Sequence, residues 1–567
     1  MLDSQTVDTS PGILDLSSRA SLPAKIGWTL LIAATLYVCY FSHLGAIGFV
    51  GPDEPRYAWI ARDMAETGDW VTPRLYGKPW FEKPPLFYWA AALSFKIFGV
   101  SEAAARLPSA LSALLATLAL TWLALRLYGA ETACWLLLFL PTTVGMIGFS
   151  HAAATDMPFS GMLTIAMVYA TAVLGLTRNE NSSVIPQTPW FALILFGFFL
   201  GLAVLAKGPA AIILCGGALF FWALCTKRWR DAFRLFHPAA LASFCLTSLP
   251  WYILCARRNP DFFRTFIVEH NFKRYLTPEF QHLQPFWYYI PVLLVAFLPW
   301  TALLVWSAVE GALQLWRTRC TKESTWFLIC WAGFCILFFS ISQSKLPGYV
   351  LPAFPAIALL IAHTISIVPS AHRTSLAVTL GAMALCLAIL VVLLALSVIH
   401  LGSRYEAFSP LLAPILGALA ACIFLLGSSF LPNLRTPSRD LLIASSFAVL
   451  LFLVGSASLF LGRANIGSLS ARWLAFEILR DDIPLDQLRV LRINRGDHYA
   501  LNFYLHKEVR DWETDPLVDG YVLSNGLYCE QLKTRRRCVD LWGSRDFASG
   551  SWALLRITSE NSPPSLP

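Results

Sequence analysis

Residues 51–70, GPDEPRYAWIARDMAETGDW, and residues 80–89, WFEKPPLFYW, set charged groups beside aromatic rings, and they lie between two apolar blocks near 26–48 and 104–127. Pro55 in a first turn and Gly68 as a stop make a short helix of Asp53–Gly68, with Asp53 expected at its N-cap. Tyr57 and Trp59 suit a helix that lies at a membrane surface. Pro84 and Pro85 fix a stiff turn, after which LFYWAAALSFKIF reads as a second short helix ending at Gly99 and too short to span comfortably. The loop therefore reads as two juxtamembrane helices between membrane spans.

The flanking blocks set the class. Of the 567 residues 56% are hydrophobic and only 14% charged, where soluble domains carry roughly 25% charged residues, and the mean hydropathy is +0.58. The apolar material comes in runs long enough to cross a hydrocarbon core about 30 Å thick. About thirteen spans are expected, near 26–48, 104–127, 131–149, 157–176, 190–206, 209–225, 238–255, 287–312, 325–341, 349–368, 375–400, 410–431 and 441–461. No internal repeat stands out, which counts against a transporter built from matching halves. The net charge of +8 forms no clustered basic face, so nucleic acid is not an expected partner. Eleven of the thirteen cysteines lie in or beside apolar spans. The other two, Cys529 and Cys538, are a candidate disulfide if their region faces an oxidising compartment.

Orientation follows from basic residues in short loops. The even-numbered loops hold Arg126, Arg178, the group Lys227, Arg228, Arg230 and Arg234, then Arg317, Arg319 and Lys322, Arg373, and Arg435 with Arg439. The short odd-numbered loops hold only Lys207, Lys345 and Arg404. Three regions are therefore expected: a cytoplasmic tail over 1–25, a membrane domain over 26–461 with its first external loop at 49–103, and an external C-terminal α/β domain over 462–567. In the last, strands are expected at Arg489–Ile493, Gly520–Leu523, Cys538–Leu541 and Trp552–Ile557, and helices at Ser470–Arg480 and Tyr499–Leu505.

The remaining polar residues recur on the external face. They are His151 and Asp156 in HAAATDMP, Lys207 in a bare turn, Glu269, His270, Lys273 and Arg274 in VEHNFKRY, and Lys345 and Tyr349 in SQSKLPGYVLP. Ionisable groups beside hydrocarbon are costly and tend to be functional. Both signs together suit an anionic lipid headgroup, with cations on the phosphate and a carboxylate doing chemistry next to it. Each residue also has a plainer reading. Asp53 could only cap its helix, Asp156 could mark an ordinary helix start, Lys207 could snorkel, and Tyr349 and His270 could be interface residues.

PDEPRYA, GDWVTPRLYGKPWFEKPPLFYW and SKLPGYVLP closely resemble the bacterial aminoarabinose transferases that modify lipid A. More broadly they resemble the GT-C membrane glycosyltransferases, which include the protein O-mannosyltransferases. The likeness runs from about Gly51 to His363. It implies an α-helical polytopic protein of about 13 transmembrane helices, with juxtamembrane helices and a small external α/β domain. It assigns catalysis to Asp53, Glu82 and Asp156, and donor or lipid-phosphate binding to Arg56, Tyr57, Lys83, Lys207, Arg274, Lys345 and Tyr349. It associates a divalent metal with Glu82 and His270, two ligands being too few to name the ion. The implied partners are a polyprenyl-phosphate-linked sugar, a lipid A, glycolipid or protein acceptor, and the surrounding lipids, for a monomer in a bacterial inner membrane with its site facing the periplasm. A lipid transporter is the reading from another class; it would explain a cationic groove but not the carboxylates Asp53, Glu82 and Asp156.

Overall fold

The computed structural model describes residues 22–177, 189–273, 283–318, 322–367, 470–525, 528, 532, 538–542 and 552–557. The first helix is α1 (Leu22–Tyr40). The first external loop then forms α2 (Asp53–Thr67), a two-residue hairpin of β1 (Arg74–Leu75) and β2 (Lys78–Pro79), and α3 (Leu86–Phe98). Gly68 stops α2 as expected: at φ 74° its N–H donates to Met64 O. Asp53 is not the N-cap, which corrects the expectation. Pro52 holds that position without a side-chain cap, and Asp53 is the first helical residue, its carboxylate turned to Arg56.

The bundle continues with α4 (Glu102–Tyr128), α5 (Ala130–Phe139), α6 (Val144–Ser150), α7 (Asp156–Val173), α8 (Trp190–Lys207), α9 (Ala210–Thr226), α10 (Trp229–Phe233) and α11 (Pro238–Arg258). After π-helical turns at Arg264–Lys273 come α12 (Tyr289–Ala296), α13 (Thr301–Thr318), α14 (Glu323–Ile341), a 3₁₀ stretch Pro347–Ala353, and α15 (Phe354–Ile367). Among the described residues six helices are long and apolar enough to cross a membrane, and seven if the α5–α6 pair counts as one span. The chain is a multi-pass membrane protein. The expected spans near 375–400, 410–431 and 441–461 lie outside the described residues.

Two expected spans are broken instead of continuous. Helices α5 and α6 bend by 64° at their junction, and the 287–312 span parts between α12 and α13. Broken backbone at membrane depth must satisfy its polar groups inside the protein, and here the two breaks satisfy each other. Val144 N–H donates to Leu298 O at 2.9 Å, and Trp300 Nε1 donates to Thr142 Oγ1 at 2.8 Å. A plain apolar count misses both breaks, although Pro141 and Pro299 mark them.

Where nothing apolar separates helices from lipid, close packing rests on small residues. Gly197 and Gly201, four apart on α8, press against Ala240 and Thr247 of α11, and a Cβ on Gly201 would lie 2.8 Å from that of Thr247. Gly161 of α7 meets Ser112 of α4 equally closely, for a Cβ there would lie 2.9 Å from the Ser112 carbonyl oxygen. The opposite faces carry exposed apolar side chains, such as Leu111, Leu115, Leu118, Trp122 and Leu125 down α4. Such a stripe is stable only against hydrocarbon.

The C-terminal unit is α/β, as expected. Its helices are α16 (Arg472–Arg480) and α17 (Arg495–Leu505). Its strands β3 (Leu488–Leu491), β4 (Arg510–Asp511), β5 (Gly520–Asn525), β6 (Cys538–Trp542) and β7 (Trp552–Ile557) lie in the order β4-β3-β5-β7-β6. Strand β3 pairs in parallel with β4 and β5, and α17 is the crossover that lets β4 return beside β3. The edge strand β4 was not foreseen, since two residues leave no periodicity to read. Cys529 lies outside the described residues, and the pairing of Cys529 with Cys538 lies outside them too.

Candidate active site

The site begins with a buried arginine. Arg56, one turn into α2, holds Asp53 Oδ1 at 2.5 Å and Glu82 Oε2 at 3.0 Å; the side chains of Arg56 and Glu82 are 5% and 9% exposed, that of Asp53 51%. Glu82 Oε1 meets Lys83 Nζ at 3.5 Å. One carboxylate thus faces open space while the other is locked between two cations. Burial works against the charge on Arg56, but the carboxylates of Glu82 and Asp53 outweigh it and raise its pKa above the ordinary value, so it stays charged. Burial, then the carboxylates of Glu82 and Asp53, push the Tyr57 phenol well up, which keeps it neutral. The Arg56 guanidinium also lies 5.2 Å from the Tyr57 ring and 5.4 Å from the Trp80 ring. Among the described residues Arg56 Nε, Trp80 Nε1 and Tyr88 OH are buried without a hydrogen-bond partner, capacity that a sugar or phosphate can use.

A second cluster forms where α7 begins and α8 ends. Lys207 is salt-bridged to Asp156 Oδ1, and its ammonium lies 4.7 Å from the Tyr349 ring. Gly348 makes this fit possible, for a Cβ there would come within 2.8 Å of Asp156 Oδ1. Gly348→Ala is therefore expected to push the Asp156 carboxylate aside and slow turnover by about tenfold or more with the fold retained. Turnover at the wild-type rate in the purified variant would show that the position of Asp156 does not matter.

The two clusters are joined at both ends. Glu54, next to Asp53, accepts from Ala153 N–H at 2.7 Å, three residues before Asp156. Phe81, next to Glu82, packs in one apolar cluster with Leu205, two residues before Lys207. Asp53, Arg56, Glu82 and Lys83 thus form one cluster and Asp156, Lys207 and Tyr349 another, and these two contacts tie together the segments that carry them. Lys345 sits apart in detail: its amine donates to the carbonyls of Ser342 at 2.6 Å and Gln284 at 3.0 Å, and loss of water lowers its pKa. Arg274 and the side chain of His270 lie outside the described residues. Beside Glu82 opens a groove of about 480 Å³, lined by Trp80, Glu82, Arg258, Asn259, Asp261 and Thr265 among others.

Glu82 already carries a guanidinium on one oxygen and an ammonium on the other. Among the described residues no three His, Cys, Asp or Glu side chains converge on a metal-sized space. The side chain of His270, the second residue that the resemblance associates with a metal, lies outside the described residues.

Sequence reasoning passed over Glu54 and Arg106. Arg106 of α4 donates Nε to Glu54 Oε1 at 2.9 Å and Nη2 to Oε2 at 2.8 Å, and it also bonds the carbonyls of Leu44, Ile47 and Gly48. Val50 N–H adds a bond to Glu54 Oε2 at 2.9 Å. This knot fixes the start of α2, hence Asp53. Its signal was a charged residue at the edge of an apolar run. Trp80, Tyr88 and Gly348 lay inside quoted motifs, whereas Tyr499, whose ring lies 5.8 Å from the Arg56 guanidinium, carried no signal at all.

The chain is similar to the aminoarabinose transferases and, over its first half, to the protein O-mannosyltransferases. Residues 27–266 match the family model of dolichyl-phosphate-mannose-protein mannosyltransferases. The chain is 36% identical over 315 residues to an undecaprenyl phosphate-alpha-4-amino-4-deoxy-L-arabinose arabinosyl transferase of Erwinia tasmaniensis, covering 55% of this chain and 54% of that protein. It is 34% identical over 366 residues to the protein of the same name from Enterobacter sp. strain 638, covering 64% and 61%. The chain thus spans little more than half the length of these relatives. In fold it is similar to ArnT from Cupriavidus metallidurans bound to undecaprenyl phosphate, with a TM-score of 0.74 and 22% identity over 94% of this chain and 98% of that one.

Proposed function

We propose that the protein transfers a sugar from a polyprenyl-phosphate carrier to an extracytoplasmic acceptor, lipid A or a related cell-envelope glycolipid, from the periplasmic face of a bacterial inner membrane. The observation that carries this reading is the half-exposed carboxylate of Asp53 held at 2.5 Å from a buried arginine that also grips Glu82. An exposed carboxylate of fixed position can orient or deprotonate a nucleophile, and the cations around it can stabilise a departing phosphate.

The reaction is a single displacement with inversion. The acceptor oxygen forms a bond to the anomeric carbon as the bond to the carrier phosphate oxygen breaks. The electron pair leaves with the polyprenyl phosphate, whose negative charge faces Lys83, with Lys207, Lys345 and Arg274 as further cations. A hydroxyl acceptor gives its proton to Asp53, whereas an ionised phosphate acceptor needs only orientation. Asp156, braced by Lys207, holds sugar or acceptor in line. Dialysis against EDTA that abolished transfer would replace part of this scheme with a metal at Glu82 and His270.

Transfer of radiolabelled sugar from its undecaprenyl-phosphate carrier to lipid A by the purified protein tests the proposal, and absence of a labelled product overturns it. A protein product in place of a lipid would favour the second reading, a protein O-mannosyltransferase-type enzyme, which the match of residues 27–266 supports. Lys345→Ala is expected to raise the donor KM about tenfold, as for loss of one hydrogen bond to a charged group, with kcat little changed. A donor KM unaltered by the substitution would remove Lys345 from the carrier site.

A further inference from the structure

Among the described residues the C-terminal unit reaches the site through the first turns of α17. Gly496, in the first turn of α17, lies against the backbone of Gly51, and a Cβ there would come within 3.0 Å of the Gly51 carbonyl carbon. Gly51 is two residues before Asp53. The neighbouring Arg495 is exposed, and its Nε donates to Tyr499 OH at 3.2 Å with the guanidinium 5.4 Å from that ring. The same ring lies 5.8 Å from the guanidinium of Arg56. Tyr499 thus stands between a buried arginine committed to Asp53 and Glu82 and an outer arginine that has no carboxylate partner among the described residues.

Helix α17 is not free to drift. Phe49 N–H donates to Tyr504 OH at 2.8 Å, Tyr504 OH donates to Glu102 at 2.9 Å, and Asn502 donates to Tyr76 OH at 2.9 Å. Arg472 of α16 adds a bridge to Glu102 at 3.1 Å. A cation on so well anchored a helix, one ring away from the arginine that holds Asp53, suits recognition of a second anion and not the closing of a lid.

We infer that Arg495, held by Tyr499, is a specificity-determining residue that binds a phosphate of the acceptor on the open side of Asp53, so that the C-terminal unit completes the acceptor half of the site. This rests on the transferase reading above and names the chemistry its acceptor must carry. An arginine fork matches phosphate oxygens, and each bond is strengthened by charge. The carrier phosphate is assigned to the other cations, Lys83, Lys207 and Lys345, so the two anions need not compete.

The test uses the full-length protein in detergent and two measurements. In steady-state transfer, Arg495→Ala should raise the KM for diphosphorylated lipid A about tenfold while kcat and the donor KM hold within about twofold, and Arg495→Lys should recover most of the loss. In direct binding without donor, the wild type should hold diphosphorylated lipid A more tightly than the fully dephosphorylated lipid, and Arg495→Ala should erase that difference. An unchanged acceptor KM, or a binding difference that survives in Arg495→Ala, overturns the inference. Equal rises in both KM values with a lowered melting temperature assign Arg495 a structural role and overturn it as well. Displacement of lipid A by phosphatidylglycerol vesicles or by inorganic phosphate would identify the anion as bulk lipid or free phosphate, against the acceptor. If the wild type transfers no sugar, the transferase reading fails alone, because the binding arm still reports on Arg495.

Discussion

Asp53→Asn is expected to reduce sugar transfer by about 10²–10⁴-fold, the range for removal of a positioned acid–base group, while leaving the protein folded. The substitution keeps the shape of the side chain and its contact with Arg56, but the amide cannot accept a proton and carries no charge. Arg56 remains held by Glu82 at 3.0 Å, so the wall of the site does not collapse. The carboxylate is half-exposed, and a solvated ion pair of this kind stabilises a fold by about 0–1 kcal/mol. The measurement is transfer of labelled sugar by the purified variant, beside its melting temperature and its affinity for the carrier lipid. Turnover near the wild-type rate would remove Asp53 from the chemistry. A large fall in melting temperature would make it structural.

Arg106→Ala is expected to do the reverse, destabilising the protein by about 3–5 kcal/mol, the effect of breaking a buried ion pair from one side. Glu54 would keep two backbone donors, Val50 and Ala153, but lose both charge-assisted bonds. The carbonyls of Leu44, Ile47 and Gly48 would lose their donor as well. Because those carbonyls stay orphaned, a joint Glu54→Leu and Arg106→Met replacement should recover only part of the loss, unlike an isolated buried pair. Thermal unfolding in detergent decides: a melting temperature within error of the wild type would show that the knot does not support the loop. Activity should fall together with the melting temperature, since the knot also fixes the start of α2, and that joint loss separates this effect from that of Asp53→Asn, which leaves the melting temperature in place.

The motifs around Asp53, Glu82, Lys83 and Tyr349 were readable because chemistry, helix punctuation and interface aromatics coincide there within a few residues. Gly68 and Gly99 stopped their helices where composition said they would, since a residue without a side chain meets no penalty at positive φ. The role of Asp53 at its helix start was misread for a physical reason: capping and ion pairing draw on the same carboxylate, and the nearby Arg56 takes it. The broken spans were misread because hydropathy sums over residues and is blind to a backbone gap that a neighbouring helix fills.

Hydrophobic run length and polar composition are properties of neighbouring residues, and from them the amino-acid order alone established a polytopic helical bundle with scattered polar residues and a separate α/β unit. Which of those polar residues meet is a matter of contacts between residues tens to hundreds of positions apart. Lys207 with Asp156, Arg106 with Glu54, and Tyr499 with Arg56 are each brought together by packing, and no local periodicity records such a pairing. Folding gathered a scatter of acids and bases into two clusters, which sequence distance alone would have kept apart.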